Sequence, residues 1–151
     1  MFKRMFPLYA GLLLILCTSF IFGCESARNK ETKVKVMYLT EVLKSDLMNV
    51  NRIDVRFGDG NKIEMTDPIT IQDIVSKLKS IEVRETKSKG VGSLFYLELK
   101  EADKMYRLGN EFIFNGKTYE TIGENAKKLN EAIIKLGRDQ IPGLLPGVNA
   151  G

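Results

Sequence analysis

Residues 53–81 read IDVRFGDGNKIEMTDPITIQDIVSKLKSI, and this stretch contains the change of hydrophobic period that decides the fold. Its first half alternates apolar and polar residues on both sides of the turn at 58–61, which predicts an antiparallel hairpin. Its second half begins with Asp67 and Pro68, a helix start, and then has apolar residues at steps of three or four from Ile71 to Ile81. We therefore predict a hairpin followed by an amphipathic helix that packs on the sheet.

The same two periods recur on either side of this stretch. Upstream, alternation over 34–38 predicts a strand, while the helical spacing of Leu43, Leu47 and Val50 leaves the next segment unassigned. Downstream, the pattern predicts a polar loop at 87–92, strands at 95–99, 105–108, 111–114 and 117–120, a tight turn at Asn115 and Gly116, and a second helical stripe of Ala126, Leu129, Ile133 and Leu136 that stops at Gly137. This order predicts an α+β domain, with a mostly antiparallel sheet and two amphipathic helices on one face.

The N-terminal residues follow a different pattern. Lys3 and Arg4 precede an uncharged apolar run at 10–22, which is the layout of a secretory signal. The run ends in Ile21-Phe22-Gly23-Cys24, which resembles the lipobox of bacterial lipoprotein signals. The resemblance implies that a signal peptidase cuts after Gly23 and that Cys24 carries the acyl chains. Membrane lipid is then the first expected partner, and the body is expected on the extracytoplasmic side of the cell membrane.

The expected organisation has four parts: a lipoprotein signal peptide at 1–23, a flexible tether at 24–33, an α+β domain at 34–137, and a loose C-terminal tail at 138–151. Within the tail, Leu144 and Leu145 are the residues suited to dock on the body. The alternative for the N-terminus is an uncleaved helix over 6–23 that anchors the chain directly. Both interpretations place the body on the same side of the membrane.

Composition excludes several classes of chemistry. The 151 residues contain no histidine, and the two cysteines are Cys17 and Cys24, so the body has neither the commonest general base nor a thiol. Loss of Lys3 and Arg4 with the signal lowers the formal net charge from +4 to +2, with lysines scattered among glutamates. We therefore predict no histidine-based triad, no cofactor and no nucleic-acid partner.

Paired carboxylates are the catalytic groups that remain. Glu64 with Asp67, or Glu98 with Glu101, are the candidate pairs for a histidine-free envelope hydrolase. Alternation with apolar neighbours points Glu64 and Glu98 toward solvent, where acids keep a sheet soluble. Serine and lysine residues are present, but no local motif joins them into a catalytic pair.

Two further groups of side chains are candidates for binding. Asp59, Asn61 and Glu64 lie near a glycine as in a calcium loop, but their spacing is not that of an EF-hand and a hairpin turn explains them. Three tyrosines lie on predicted strands, either as core and cross-strand pairs or as an aromatic face for a ligand. These tyrosines are Tyr96, Tyr106 and Tyr119.

The leading hypothesis from the sequence is a non-enzymatic, lipid-anchored extracytoplasmic module that binds a protein, a peptide or an envelope component near the membrane. The pattern of the body is loosely similar to that of small lipoproteins of Gram-positive bacteria, a likeness that assigns no residue a role. The histidine-free hydrolase is the alternative. A ligand carrier for a transporter is disfavoured, because about 100 folded residues are few for a two-lobed binding protein.

Overall fold

A computed structural model describes residues 35–87 and 92–148 of the chain. The predicted signal peptide, Cys24 and the tether lie outside the described residues. The described elements, in chain order, are β1 (Val36–Tyr38), α1 (Leu39–Leu43), β2 (Val50–Phe57), β3 (Lys62–Met65), α2 (Pro68–Lys79), β4 (Glu82–Thr86), β5 (Phe95–Glu101), β6 (Lys104–Leu108), β7 (Glu111–Phe114), β8 (Lys117–Ile122) and α3 (Gly123–Gln140). The predicted α+β class is confirmed.

The strands form two antiparallel sheets, each with four strands. The strand order is β1-β4-β8-β7 in sheet A and β3-β2-β5-β6 in sheet B. The chain crosses between the sheets four times, and the shortest of these connections is Gly109 and Asn110, between β6 and β7. The two predicted amphipathic helices are present as α2 and α3, and the described residues differ from the prediction in forming two antiparallel sheets instead of one and in adding a third, short helix. Buried side chains of both sheets and of all three helices form one hydrophobic cluster.

β4 was not predicted from the sequence, although this strand lies inside sheet A between β1 and β8. Its residues read EVRET, and Val83 is the one fully buried side chain among them. A single apolar residue shows no period, so the alternation that identified the other strands has nothing to detect here. The periodicity assigned Ile81 to the helix. In the structure Ile81 lies in the connection between α2 and β4, and its side chain is fully buried.

The segment before β2 is mostly irregular. Helix α1 ends at Leu43, and Lys44 and Leu47 both have left-handed backbone angles, with φ of 52° and 58°. Leu43, Leu47 and Val50 are all buried, so their helical spacing reflects burial of an irregular chain. In β1 the apolar residues Val36 and Tyr38 are each 49% exposed, on the outer face of sheet A.

Helix α2 begins as predicted. The Asp67 carboxylate accepts hydrogen bonds from the Thr70 N–H and hydroxyl, both at 2.8 Å, and Pro68 occupies the first turn. These two bonds hold the pKa of Asp67 below its usual value, and the bond from the Thr70 N–H has the larger effect. The cap therefore stabilises the fold above the ordinary pKa of an aspartate and is lost as the pH falls through the lowered value. The buried stripe of the helix consists of Ile71, Ile74, Val75 and Leu78.

Helix α3 does not stop at Gly137 but continues to Gln140. Gly137 is buried, and a Cβ added there would meet the tip of Leu144 and lie 2.5 Å from Cζ of Phe57. Glycine is thus present because α3 packs closely on β2 and on the chain that follows the helix. The glycine that predicted the end of the helix is therefore explained by close packing, which only a residue without a Cβ allows.

The C-terminal segment is packed on the body through residue 148, so the loose tail expected from 138 is not observed there. Leu144 and Leu145 are buried, as their predicted docking requires. The Arg138 guanidinium donates to the carbonyl oxygens of Leu144 at 3.3 Å and Leu145 at 3.2 Å, and also to that of Val148. The Leu145 N–H donates to the Asp59 carboxylate at 3.1 Å. Among the described residues no helix has both the length and the apolar run to cross a bilayer.

Candidate functional site

A groove of about 920 Å³ lies where β6 passes into β7. One wall comes from the outer face of sheet B, the other from the outer face of sheet A, and the N-terminal half of α3 closes the side. The residues on which the site is built are Tyr96 and Arg107 from sheet B, Glu111, Ile113, Thr118 and Glu120 from sheet A, and Ala126, Lys127 and Asn130 from α3. The groove therefore depends on the placement of the two sheets relative to each other.

The sheet B wall carries a stacked cation. The Arg107 guanidinium carbon lies 4.6 Å from the centroid of the Tyr96 ring, close enough for a cation–π interaction. Glu98 is the cross-strand neighbour of Arg107, but it pairs with Arg56 at 3.4 Å. Arg107 makes no ion pair with any other residue that the structure describes. The wall therefore offers an aromatic ring and a positive charge that has no acidic partner there.

The floor of the groove is fixed by hydrogen bonds around Asn110. Its carbonyl oxygen accepts from the Thr121 N–H at 2.9 Å and from the Thr121 hydroxyl at 3.3 Å. Its N–H donates to Ser93 Oγ at 3.2 Å, and its side-chain oxygen accepts from Asn130 at 3.3 Å. A Cβ at Gly109 would lie 2.7 Å from Ser93 Oγ, so glycine allows this close approach. The connection between the sheets is thus held to β8, α3 and the chain before β5.

The sheet A wall combines an exposed apolar side chain with acids. Ile113 is 74% exposed, and beneath it Phe112 stacks on Tyr119 with the ring centroids 5.6 Å apart. Glu111 and Glu120 are register partners on β7 and β8, and both line the groove. Glu120 pairs with Arg84 of β4 at 2.5 Å. The groove therefore contains an acid pair that the sequence analysis did not nominate.

The structure does not bring the pair Glu98 and Glu101 together. Glu98 lies on the outer face of β5, whereas Glu101 lies on the buried face and is 7% exposed. The Glu101 carboxylate accepts from the Ser45 hydroxyl at 2.6 Å, the Tyr106 hydroxyl at 3.1 Å and the Asn49 N–H at 3.4 Å. These bonds tie the segment before β2 to β5 and β6. The role of Glu101 in the fold is therefore structural.

The other predicted acids also have structural partners. Glu64 pairs with Arg52 at 3.0 Å, and Asp67 caps α2. Asp59 accepts from the Asn61 N–H at 3.0 Å and from Leu145, and these bonds hold its pKa below the usual value. The described residues contain no group of three or more acidic, histidine or cysteine side chains suited to hold a metal ion. Asp59 and Asn61 thus belong to a hairpin turn that also receives the C-terminal segment, whereas Glu64 lies on β3.

The three tyrosines have separate positions. Tyr106 and Tyr119 are buried in the core, as one of the two interpretations predicts, while Tyr96 lies on the outer face of β5 and lines the groove. A shared aromatic face is therefore absent from these three residues, and Tyr96 alone belongs to the site. Ile113 is the residue from which the site could have been predicted. It is apolar, but it alternates with Phe112 and Phe114 on β7 and so lies on the outer face.

Comparison of this chain with known protein families, with curated proteins and with solved structures finds no match to any of them. The groove and the N-terminal sequence are therefore the two features of this chain that bear on its function.

Proposed function

We propose that the protein is a lipid-anchored extracytoplasmic binding module whose ligand occupies the groove between the two sheets. The observation that supports this is the groove itself, whose volume of about 920 Å³ suits a bound ligand. Its walls combine an exposed isoleucine with an arginine stacked on a tyrosine, so it offers both apolar contact and a charge. Ligand sites commonly have this mixture, in which apolar area supplies affinity and a few polar groups fix orientation.

Binding without catalysis is favoured over hydrolysis by the way that this surface uses its acids. Three outer-face acids each pair with a basic side chain on a neighbouring strand; these acids are Glu64, Glu98 and Glu120. Glu120 is thus engaged like the acids that lie outside the groove. The other nominated acids cap a helix or tie the core together.

The one observation that favours a hydrolase is the pair Glu111 and Glu120, since glycoside hydrolases use two carboxylates that flank the reacting bond. Substitution of both by glutamine distinguishes the two functions. Loss of turnover of an envelope polysaccharide would support the hydrolase. For a binding module we expect no turnover before or after the change.

The groove is tested by photo-crosslinking in intact cells. A photo-reactive phenylalanine analogue at Ile113 is expected to give one dominant adduct, because that side chain lines the groove. The same analogue at Met48 and at Ile69, which are 72% and 79% exposed and do not line the groove, provides matched controls. Gel electrophoresis followed by mass spectrometry identifies the adducts. The same adducts in the same yield at all three positions would contradict a ligand site in the groove.

The anchor is tested by the intact mass of native protein extracted from membranes. We expect a chain that begins at residue 24 and carries the mass of attached acyl groups, because Ile21-Phe22-Gly23-Cys24 resembles a lipobox. Two acyl chains would hold the protein at a bilayer far more firmly than one. The variant Cys24→Ser is expected to lose that mass and its processing, while Cys17→Ser is expected to behave as the wild type. A native chain that keeps residues 1–23 and has an unmodified Cys24 would instead support an uncleaved helix.

A further inference from the structure

We propose that the groove binds an extended peptide segment, which adds as a fifth strand to the open edge of β7. This inference rests on the proposed function, because it names the class of ligand that the same groove would take. In strand addition the main chain of the peptide forms hydrogen bonds with a free sheet edge, and alternate side chains enter pockets beside it. The edge, its neighbours and its charges each support this mode.

The backbone of Ile113 points toward the open edge. β7 and β8 are joined by Asn115 and Gly116, whose φ values of 49° and 75° are those of a two-residue hairpin turn. In such a hairpin the pair that closes the turn, Phe114 with Lys117, exchanges hydrogen bonds, and every second pair does so. Asn110 and Thr121 are four residues from this closing pair on either strand, and the Thr121 N–H donates to the Asn110 carbonyl oxygen, as this alternation requires. The N–H and C=O of Ile113 therefore point away from β8.

The edge of β7 begins with the charged Glu111 but carries no lysine, no proline and no bulge. Edge strands commonly carry lysine, proline or a bulge, or are very short. Among the described edges, β3 begins at Lys62, β6 carries Lys104 and Arg107, and β1 has three residues. β7 reads EFIF and pairs with β8 in an unbroken register. It is thus the described edge that is most open to another strand.

The charges beside this edge indicate the sequence that the peptide should have. Ile113, at 74% exposed, offers apolar contact to a side chain of the added strand. Arg107 lies on the facing wall, stacked on Tyr96 and without an acidic partner among the described residues. A peptide with an apolar side chain near Ile113 and an acidic side chain near Arg107 would satisfy both walls. We therefore commit to an extended peptide segment that contains an acidic residue.

A second copy of this chain fits the site less well. An edge strand of a folded domain carries its neighbouring strand with it, whereas the β7 edge is bordered by the sheet B wall and by α3. A single extended segment avoids this cost.

The test uses the full chain purified in detergent and a phage library of random heptapeptides. We expect enrichment of peptides that contain an acidic residue and an apolar residue. The best peptide is then synthesised with a single N-methyl group at each position in turn. Because a strand directs its N–H groups alternately to either side, affinity should fall about tenfold or more at every second position and little at the others. Equal losses at all positions, or no enrichment over a detergent-only control, would overturn strand addition.

A protein variant provides an independent readout. Ile113→Pro removes the outward N–H without removing a hydrogen bond to β8, and edge strands tolerate proline in such a position. We expect it to bind the selected peptide about tenfold or more weakly than Ile113→Val, which keeps the N–H and an apolar side chain at the same position. Unchanged affinity in a folded Ile113→Pro variant would contradict the proposal, and the N-methyl series decides the question even if this variant does not fold.

The outcomes separate this inference from the proposed function. A dominant non-peptide adduct at Ile113, with no peptide enriched, would overturn the peptide and leave the groove as a binding site. An adduct between two copies of this chain at Ile113 would assign the edge to a homodimer and would also overturn the peptide. No specific adduct and no enriched peptide would overturn both.

Discussion

The substitution Glu101→Ala is expected to lower the free energy of unfolding by about 3 kcal/mol, since it leaves three donors without their acceptor and hydrogen bonds to a charged group are among the stronger ones. The donors are the hydroxyls of Ser45 and Tyr106 and the N–H of Asn49. A depression of about 550 Å³ beside Glu101 gives water access to part of the site, which keeps the loss below the sum of three separate bonds. Urea unfolding of the full chain, followed by circular dichroism, measures the change.

Glu98→Ala is the matched control for this prediction. Glu98 is the same residue type on the same strand, but it faces outward and pairs with Arg56, which is half exposed. An ion pair at such a surface contributes less than about 1 kcal/mol. Equal losses of stability in Glu98→Ala and Glu101→Ala would contradict the structural role assigned to Glu101.

The substitution Gly137→Val is expected to lower the free energy of unfolding by about 2 to 3 kcal/mol, because extra carbon atoms forced into a packed core move side chains away from their preferred positions. The first added carbon alone would lie 2.5 Å from Cζ of Phe57 and would also meet the tip of Leu144, both of which are buried. Valine is a better helix residue than glycine, but the gain is a few tenths of a kcal/mol and does not offset the overlap. Thermal unfolding of the variant measures the net effect.

Two comparisons identify the cause of that loss. Lys135→Val places the same residue at an exposed position of α3 and is expected to change stability by less than about 0.5 kcal/mol. Combining Gly137→Ala with Leu144→Ala removes one of the two overlapping groups, so the double variant should lose less stability than the sum of the single variants. Strict additivity of these two changes would argue against contact between Gly137 and Leu144.

The sequence predicted the elements that show a clear period. The hairpin of β2 and β3 and helix α2 have apolar residues at regular steps on one face, and burial follows that pattern in the structure. β4 was missed because Val83 is its one buried residue. The end of α3 was misplaced because Gly137 satisfies a packing contact rather than a helix cap. The division into two sheets depends on which distant strands pair, and local periodicity does not contain that information.

Less of the candidate site was predictable. Tyr96 was nominated as a residue of a binding face, and it lines the groove. Arg107 was not nominated, although the pairing of β5 with β6 places it beside Tyr96. Ile113 and Glu111 were not nominated, because their relation to Tyr96 arises only when β6 passes into β7. The separation of Glu98 from Glu101 was available from the sequence, since residues three apart on one strand lie on opposite faces. The alternation Phe95, Leu97, Leu99 continues to Glu101 and places its side chain in the core.

Hydrogen exchange at the backbone amide of Ile113 tests most directly whether the β7 edge receives the ligand. In the free protein this amide points to the open edge and should exchange quickly, while the Phe112 and Phe114 amides are held by β8 and should exchange slowly. With saturating peptide, exchange at Ile113 should slow about tenfold or more and that at the two phenylalanines should stay slow. An Ile113 amide that exchanges at the same rate with and without bound ligand would contradict a site at this edge.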